Sequence, residues 1–130
     1  LLGDKKIWQF GIRSGEKYEF EWAKKHNTIN KFDLNGLDDL ICELKEANLP
    51  VYFTVDLDVL DPSVFPGTGT PEPGGISYKK LQDAVIKVCG GLNIIAADVV
   101  ELCPHYDQSG ASTAIACKIL RELLLALSGR

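Results

Sequence analysis

An apolar segment that ends in three aspartates constrains the fold of this chain more than any other feature. Residues 51–55 are apolar or β-branched, follow Pro50, and lead directly into Asp56, Asp58 and Asp61. Short runs of this kind are typical of strands that are buried in a parallel sheet. The pattern therefore predicts a buried parallel strand whose carboxyl end carries acidic side chains.

The remaining segments alternate between strand and helix patterns. We predict strands over 6–12, 51–55 and 92–100, and residues 27–32 fit either a short strand or a loop. We predict helices over 16–25, 34–47, 78–89 and 111–127, with Ser77 as the N-cap of the third and Gly90-Gly91 as its stop. Such alternation is typical of βαβ units and predicts an α/β fold with a parallel sheet. The last helix is apolar on almost every side, so we expect it to pack on the sheet.

Asp56 and Asp58 are two residues apart, and side chains at this spacing share one face of a strand. Two carboxylates that crowd each other repel, unless one holds a proton or a cation lies between them. A hard divalent metal such as Mn²⁺ or Mg²⁺ prefers such oxygen ligands, so we expect both residues to be metal ligands. Asp61 precedes Pro62, and we expect it to shape the turn by accepting backbone N–H bonds.

Glu101 ends the second buried strand and would lie at the same rim of a parallel sheet as Asp56. Its carboxylate is either a solvated strand-end acid or a clamp for a metal, guanidinium or ammonium ion. Asp98 lies inside that strand, where an unpaired carboxylate is costly, so we expect a backbone or arginine partner for it. We expect His26 to be exposed, whereas His105 could line the pocket.

A long loop, residues 61–75, follows the aspartate-rich strand and holds four of the six prolines. Long loops without secondary structure in compact domains are usually functional or disordered, and the position of this one favours function. Its glycines would allow backbone to approach a ligand, and the hydroxyl of Thr70 could bond substrate.

Composition excludes some partners and indicates a compartment. The net charge is −4 and the basic residues are scattered, which argues against nucleic-acid binding. No apolar run reaches the ~20 residues that span a bilayer, so we expect no membrane partner. Four cysteines lie in apolar segments without CxxC spacing. We therefore expect reduced, mostly buried thiols in a cytoplasmic protein, with a disulfide framework or zinc site as the alternative.

The motif DLDVLDPSVFPGTGTPEPGG, followed after a helix by ADVVELCPHYD, resembles the ureohydrolase family, which includes arginase and agmatinase. The resemblance extends from Ile7 to the last helix. Three further features resemble agmatinases more than arginases: GIRSG near the start, the EP of TPEPGG, and PHYD after Glu101.

The resemblance implies a three-layer α/β/α fold with a mainly parallel sheet. It also implies two Mn²⁺ ions and a metal-bridging hydroxide that attacks a small guanidino substrate, releasing urea and an amine. Asp56 and Asp58 match metal ligands, with Asp56 bridging. Glu101 matches the catalytic, substrate-binding carboxylate that holds the guanidinium group, and Thr70 matches a threonine of the substrate pocket. Members of the family commonly form homo-oligomers, trimers or hexamers.

The chain departs from the family pattern in one respect. The family's other metal ligands lie in a GGDH-type motif and a DAHxD cluster, and neither occurs here. Two aspartates cannot hold two catalytic metals, and the chain contains no methionine. We therefore predict that residues 1–130 are the C-terminal portion of a single ureohydrolase-like domain and are inactive alone.

Two alternatives stay open at this point. A haloacid-dehalogenase-type, Mg²⁺-dependent phosphatase would also place an aspartate pair after an apolar strand, although the Pro/Gly loop would be unexplained. The chain could instead be a non-catalytic ureohydrolase-like assembly subunit, with helix 111–127 as its interface.

Overall fold

The computed structural model describes residues 3–129, apart from the side chain of Asn30. The strands are β1 (Trp8–Ile12), β2 (Thr28–Lys31), β3 (Pro50–Asp56) and β4 (Asn93–Val100). The α-helices are α1 (Lys17–His26), α2 (Leu37–Ala47), α3 (Tyr78–Gly91) and α4 (Ala111–Ser128). Two short 3₁₀ turns, Leu57–Val59 and Pro104–Tyr106, follow β3 and β4.

The strands form two parallel pairs, β1 with β2 and β3 with β4. In the second pair Thr54 lies opposite Asp98, and Asp56 lies opposite Val100. The carboxyl ends of β3 and β4 therefore lie side by side. The predicted parallel α/β arrangement is confirmed, and residues 27–32, which fitted either a strand or a loop, contain strand β2.

The helices begin and end close to their predicted limits, with local reasons for the differences. Helix α2 starts at Leu37 instead of residue 34 because Gly36, which precedes it, has a φ of 83°. Ser77 caps α3 as predicted, and its Oγ accepts a hydrogen bond of 3.3 Å from the amide of Lys80. The predicted stop at Gly90-Gly91 is wrong by two residues, since α3 continues through Gly91.

Helices α3 and α4 pack together and cover one face of the β3–β4 pair. Each large apolar side chain buried there contributes roughly 1.5–3 kcal/mol. The buried core comprises Val55, Leu57, Leu60, Phe65, Ile76, Leu81, Val85, Cys89, Ala116, Ile119 and Leu123. A smaller cluster of Leu44, Val88 and Leu92 joins α2 to the other side of α3. The prediction that the last helix packs on the sheet is confirmed.

The opposite face of the β3–β4 pair is open to solvent. Tyr52 is 61% exposed and Ile95 is 67% exposed, and Thr54 and Ala96 on the same face are also exposed. The prediction that these strands are buried is therefore wrong for this face, because α3 and α4 cover only the other. The expectation of mostly buried thiols also fails, since Cys42 and Cys117 are exposed.

Within residues 3–129, no helix combines the length and the apolar character that crossing a bilayer would require.

Candidate active site at the ends of β3 and β4

Asp56 and Asp58 lie together, but not for the reason that strand alternation suggested. Strand β3 ends at Asp56, and Asp58 belongs to the 3₁₀ turn Leu57–Val59. The amide of Asp58 donates a hydrogen bond of 3.2 Å to Oδ1 of Asp56. The side chain of Asp56 therefore caps the turn that carries Asp58. Leu57, between them, is fully buried and anchors this turn in the core.

The Asp56 carboxyl group is in an environment that disfavours its charge. Although the residue is partly open to solvent, burial by surrounding protein raises its pKa, and the negative charge of Asp58 raises it further. The pKa of Asp56 reaches about 6, from an ordinary value of 3.8. Desolvation combined with a like charge produces this direction of shift. A cation beside the pair would reverse it.

Glu101 reaches the same rim from β4. It directly follows Val100, the register partner of Asp56, and its charge adds to the factors that raise the pKa of Asp56. The loop 61–75 approaches it as well, since a methyl group added at Gly69 would lie 3.7 Å from Oε2 of Glu101.

The backbone of Glu101 is strained, with a φ of 67°. A non-glycine residue in this left-handed region costs on the order of 1–3 kcal/mol and is usually kept for a functional reason. Glycine would relieve the strain but would remove the carboxylate.

Thr70 completes the group of four predicted site residues. Its Oγ1 donates to Oδ2 of Asp58 across 3.3 Å. The structure therefore brings Asp56, Asp58, Thr70 and Glu101 to one edge of the sheet. His105 is exposed in the turn Pro104–Tyr106, and no contact links it to this group among those recorded for residues 3–129. His26, expected to be exposed, is half-buried and bonds Asp4 through Nδ1 at 2.8 Å.

Asp61 closes the long loop, which confirms the turn role predicted for it. Its Oδ2 accepts from the amides of Gly74 and Gly75, at 2.8 and 3.2 Å, and its Oδ1 accepts from the amide of Ser63. The hydroxyl of Ser63 also donates to Oδ1 and is the largest cause that lowers the pKa of Asp61 to about 2, and the amide bonds lower it further. One carboxylate thus joins the two ends of the loop.

Gly75 must approach the backbone closely for this closure. A Cβ at Gly75 would lie 2.4 Å from the amide nitrogen of Asp61. No side chain larger than hydrogen fits there, so this glycine is required by the way the loop closes.

Asp98 is paired, but the predicted backbone or arginine partner is wrong. It accepts hydrogen bonds from the hydroxyls of Tyr52 and Thr54 on the neighbouring strand. The two hydroxyls lower the pKa of Asp98, Thr54 more strongly, and the bond with Asp98 raises the pKa of Tyr52. The sequence patterns did not single out these partners, although the parallel register opposes Thr54 to Asp98.

A second anchor of the loop involves residues that sequence analysis missed. The amide of Gly67 donates to Oγ of buried Ser112, at 2.9 Å, and its carbonyl accepts from the amide of Cys103. Asp107 accepts from the amide of Ser112 at 2.7 Å. The hydroxyl of Ser109, followed by the bonds with Ser112, holds the pKa of Asp107 well below its usual range. The loop is therefore fastened to the start of α4 as well as to β3.

The donor set is incomplete for a binuclear metal centre. Among residues 3–129, no group of three or more His, Cys, Asp and Glu side chains is placed to hold a metal ion. Asp56 and Asp58 supply hard carboxylate oxygens, and they could form only part of a coordination sphere.

A family model for the arginase family matches residues 1–126. The chain belongs to the arginase family. This assignment favours the ureohydrolase hypothesis over the haloacid-dehalogenase-type alternative.

Individual relatives support the same assignment. The chain is 46% identical to the agmatinase of Bacillus cereus over 128 residues, which cover 96% of this chain and 43% of the relative. It is 34% identical to the human mitochondrial guanidino acid hydrolase, covering 98% of this chain and 38% of that protein. This arginase-family chain thus spans about two fifths of the length of the curated relatives it matches.

A solved structure of a provisionally assigned agmatinase from Clostridium difficile superposes with a TM-score of 0.92 at 49% identity. The superposition covers 98% of this chain and 47% of the other. The chain therefore has part of the α/β fold of the arginase family, as the sequence predicted.

Proposed function

We propose that this chain is the C-terminal portion of a ureohydrolase domain that hydrolyses a linear guanidino compound to urea and an amine. The observation that carries the proposal is the meeting of Asp56, Asp58 and Glu101 at the adjoining ends of β3 and β4. In an arginase-family chain, this set provides acidic metal ligands beside an acidic group that suits a guanidinium ion.

Agmatine, or a close analogue with a cationic tail, is the proposed substrate. The Bacillus cereus agmatinase shares 46% of its residues with the chain, whereas the human guanidino acid hydrolase shares 34%. Both enzymes are named for guanidino substrates, so they share a reaction class. The tail of the substrate distinguishes the two enzymes. The higher identity favours the cationic substrate.

Two Mn²⁺ ions are the proposed cofactors, with Asp56 and Asp58 among their ligands. Carboxylate oxygens suit a hard divalent ion, and burial and the charge of Asp58, which raise the pKa of Asp56, are effects that a bound cation would offset. When bound, the metal would lower the pKa of water and stabilise developing negative charge. The remaining ligands must come from outside these residues.

The chain's own residues would bind and orient the substrate. The Glu101 carboxylate accepts charge-assisted hydrogen bonds from the planar guanidinium group and fixes its direction. Thr70 donates to Asp58 and thereby holds both the loop and that carboxylate in place.

The open face of the β3–β4 pair supports the proposal that these residues are one portion of a larger domain. Tyr52 and Ile95 expose large apolar surfaces there, as expected if further segments of a three-layer fold cover this face. By family resemblance, the whole protein is a cytoplasmic homo-oligomer, a trimer or hexamer.

The test is a urea-release assay on the protein translated from the complete reading frame that contains this sequence, loaded with Mn²⁺. A panel would include agmatine, guanidinobutyrate and arginine, and we expect the highest kcat/KM for agmatine. The isolated 130-residue chain should release no urea. Measurable Mn²⁺-dependent urea release by pure chain would contradict the incomplete-site proposal, and no release by the complete protein on any compound would contradict the function.

A non-catalytic assembly subunit is the second candidate. Leu120, Leu124 and Leu125 are between 45% and 57% exposed on α4, which is the face that such a role would use. A complete protein that neither retains Mn²⁺ nor releases urea, yet associates stably with itself, would favour this candidate.

A further inference from the structure

Arg13, in the segment between β1 and α1, uses its whole guanidinium group to bind backbone carbonyls. Nε and Nη2 both donate to the carbonyl of Glu72, at 3.2 and 3.0 Å. Nη2 also donates to the carbonyl of Asp58 at 2.5 Å. Nη1 donates to the carbonyls of Val59 and Gly11, at 3.1 and 3.3 Å. Each of the five N–H groups of an arginine therefore has a partner.

These bonds join three segments that are far apart in sequence. Gly11 lies in β1, Asp58 and Val59 form the turn that carries the proposed metal ligand, and Glu72 lies in the long loop beyond Thr70. β1 and β3 are not hydrogen-bonded neighbours in either sheet. The guanidinium group thus provides a polar link between β1 and the rim of the site.

Ser14 strengthens the same link. Its Oγ donates to Oε2 of Glu72 across 3.0 Å, so Glu72 is held through its carbonyl by Arg13 and through its carboxylate by Ser14. The other anchors of the loop hold Gly67 and the end of the loop at Gly74 and Gly75, and neither bonds residues 71–73. The contacts of Arg13 and Ser14 therefore restrain a part of the loop that those anchors leave free.

The geometry suits arginine and not lysine. A planar guanidinium presents five donors in a fixed fork, whereas an ammonium group presents three donors from one point. The three nitrogens of the guanidinium group reach four carbonyls in three segments. The three donors of an ammonium group cannot bond all four. Replacement by lysine would keep the charge and lose most of the link.

We propose that Arg13 and Ser14 are positioning residues that fasten the loop 61–75 to the Asp58 turn, and so fix Asp58 and Thr70 relative to Glu101. The catalytic part of this inference rests on the proposed ureohydrolase function. The structural part does not, because the hydrogen bonds are independent of any substrate.

The experiment compares Arg13→Lys and Ser14→Ala with wild type in the complete, Mn²⁺-loaded protein. We expect kcat per Mn²⁺-loaded site to fall about 10- to 100-fold in Arg13→Lys, because misplacement of catalytic groups by an ångström has effects of this order. Ser14→Ala should reduce kcat in the same direction by a smaller factor. If Arg13 and Ser14 contributed only to global stability, their substitution would lower the folded fraction and leave kcat per loaded site unchanged.

Arg121→Lys is the matched control, since Arg121 is exposed on α4 and bonds Glu122 on the surface. It should leave kcat unchanged. Hydrogen–deuterium exchange on the same proteins gives a readout that needs no activity. We expect faster exchange at residues 72–76 in Arg13→Lys and in Ser14→Ala, and no change in Arg121→Lys.

The outcomes separate the two proposals. If wild type releases no urea but residues 72–76 exchange faster in the variants, the proposed function fails and the fastening role stands. Wild-type values of both kcat and exchange in Arg13→Lys would overturn the inference. Should Arg13→Lys fail to fold, Ser14→Ala carries the test, and its unchanged kcat and exchange would equally count against the inference.

Discussion

The amide of Asp58 donates to Oδ1 of Asp56 across 3.2 Å, and this bond joins the two aspartates of the acidic rim. It forms because the strand stops at Asp56 and the chain turns into a 3₁₀ helix. The two carboxylates are therefore held together by a local turn, and Thr70 fixes the second of them from the loop.

Removing either carboxylate of the pair should abolish metal retention. In Asp56→Ala and Asp58→Ala, the loss of a charged oxygen ligand leaves Mn²⁺ with too few donors, so we expect the bound metal to fall below detection. The measurement is metal content by mass spectrometry after gel filtration of the complete protein. Asp39→Ala, an exposed change on α2, is the control, and retention of Mn²⁺ in both site variants would refute the assignment.

Glu101→Gln should spare the metal and reduce turnover. The amide keeps the size of the side chain but loses the charge that binds a guanidinium group. Hydrogen bonds to charged groups contribute about 1.5–3 kcal/mol, so we expect kcat/KM to fall roughly 10- to 100-fold. The measurement combines urea release with metal content. Equal loss of metal in Glu101→Gln and Asp56→Ala would mean that Glu101 is a ligand instead.

The sequence predicts the parallel α/β fold and the four rim residues because both depend on local patterns. Apolar strands, helical periodicity and acids after a strand are visible in one chain, and the parallel register then places Glu101 beside Asp56. The family resemblance added the role of Thr70, and the structure places its hydroxyl on Asp58.

The features that were missed depend on contacts between distant segments. Asp98 was expected to have a backbone or arginine partner, yet it bonds Tyr52 and Thr54, which depend on the register of β3 with β4. Nothing in the motif GIRSG indicates that the guanidinium group of Arg13 would reach Glu72, 59 residues away. Burial of both sheet faces was expected from the apolar runs in the sequence, which do not reveal what covers a strand.

The contribution of Asp61 to the free energy of unfolding should decrease at acidic pH. Its pKa is lowered to about 2 from 3.8, so its stabilising contribution is fully present above the unfolded pKa. It is lost as pH falls from about 4 through 2, where folded and unfolded states become equally protonated. In Asp61→Asn, the difference in urea midpoint from wild type should therefore be largest at pH 5–7 and shrink below pH 4. A difference that stays constant with pH would contradict this role.

Gly67 and Gly90 should respond oppositely to alanine. A Cβ at Gly67 would lie 2.7 Å from Cβ of buried Ser112, so Gly67→Ala must displace the loop or the start of α4. Overpacking of this kind costs about 1–3 kcal/mol. Gly90 lies in α3 with nothing within 4 Å of the added methyl, and Gly90→Ala should stabilise by about 0.4–1 kcal/mol. Urea unfolding of both variants measures the effects. An unchanged free energy of unfolding in Gly67→Ala would show that the loop and α4 can move apart at little cost.

The open face of the β3–β4 pair gives a test of the domain proposal. Ile95 is 67% exposed on this face in the described residues, whereas Ile86 is 41% exposed on the outer side of α3. If further segments of the complete protein cover the sheet, Ile95→Glu buries a carboxylate without a partner. Such a change is strongly destabilising, by about 3 kcal/mol or more, whereas Ile86→Glu stays within about 0.5 kcal/mol because it remains at the surface. The measurement is the urea midpoint of the complete protein. Equal midpoints for the two variants would mean that this face stays open, and the chain would then not be one portion of a three-layer domain.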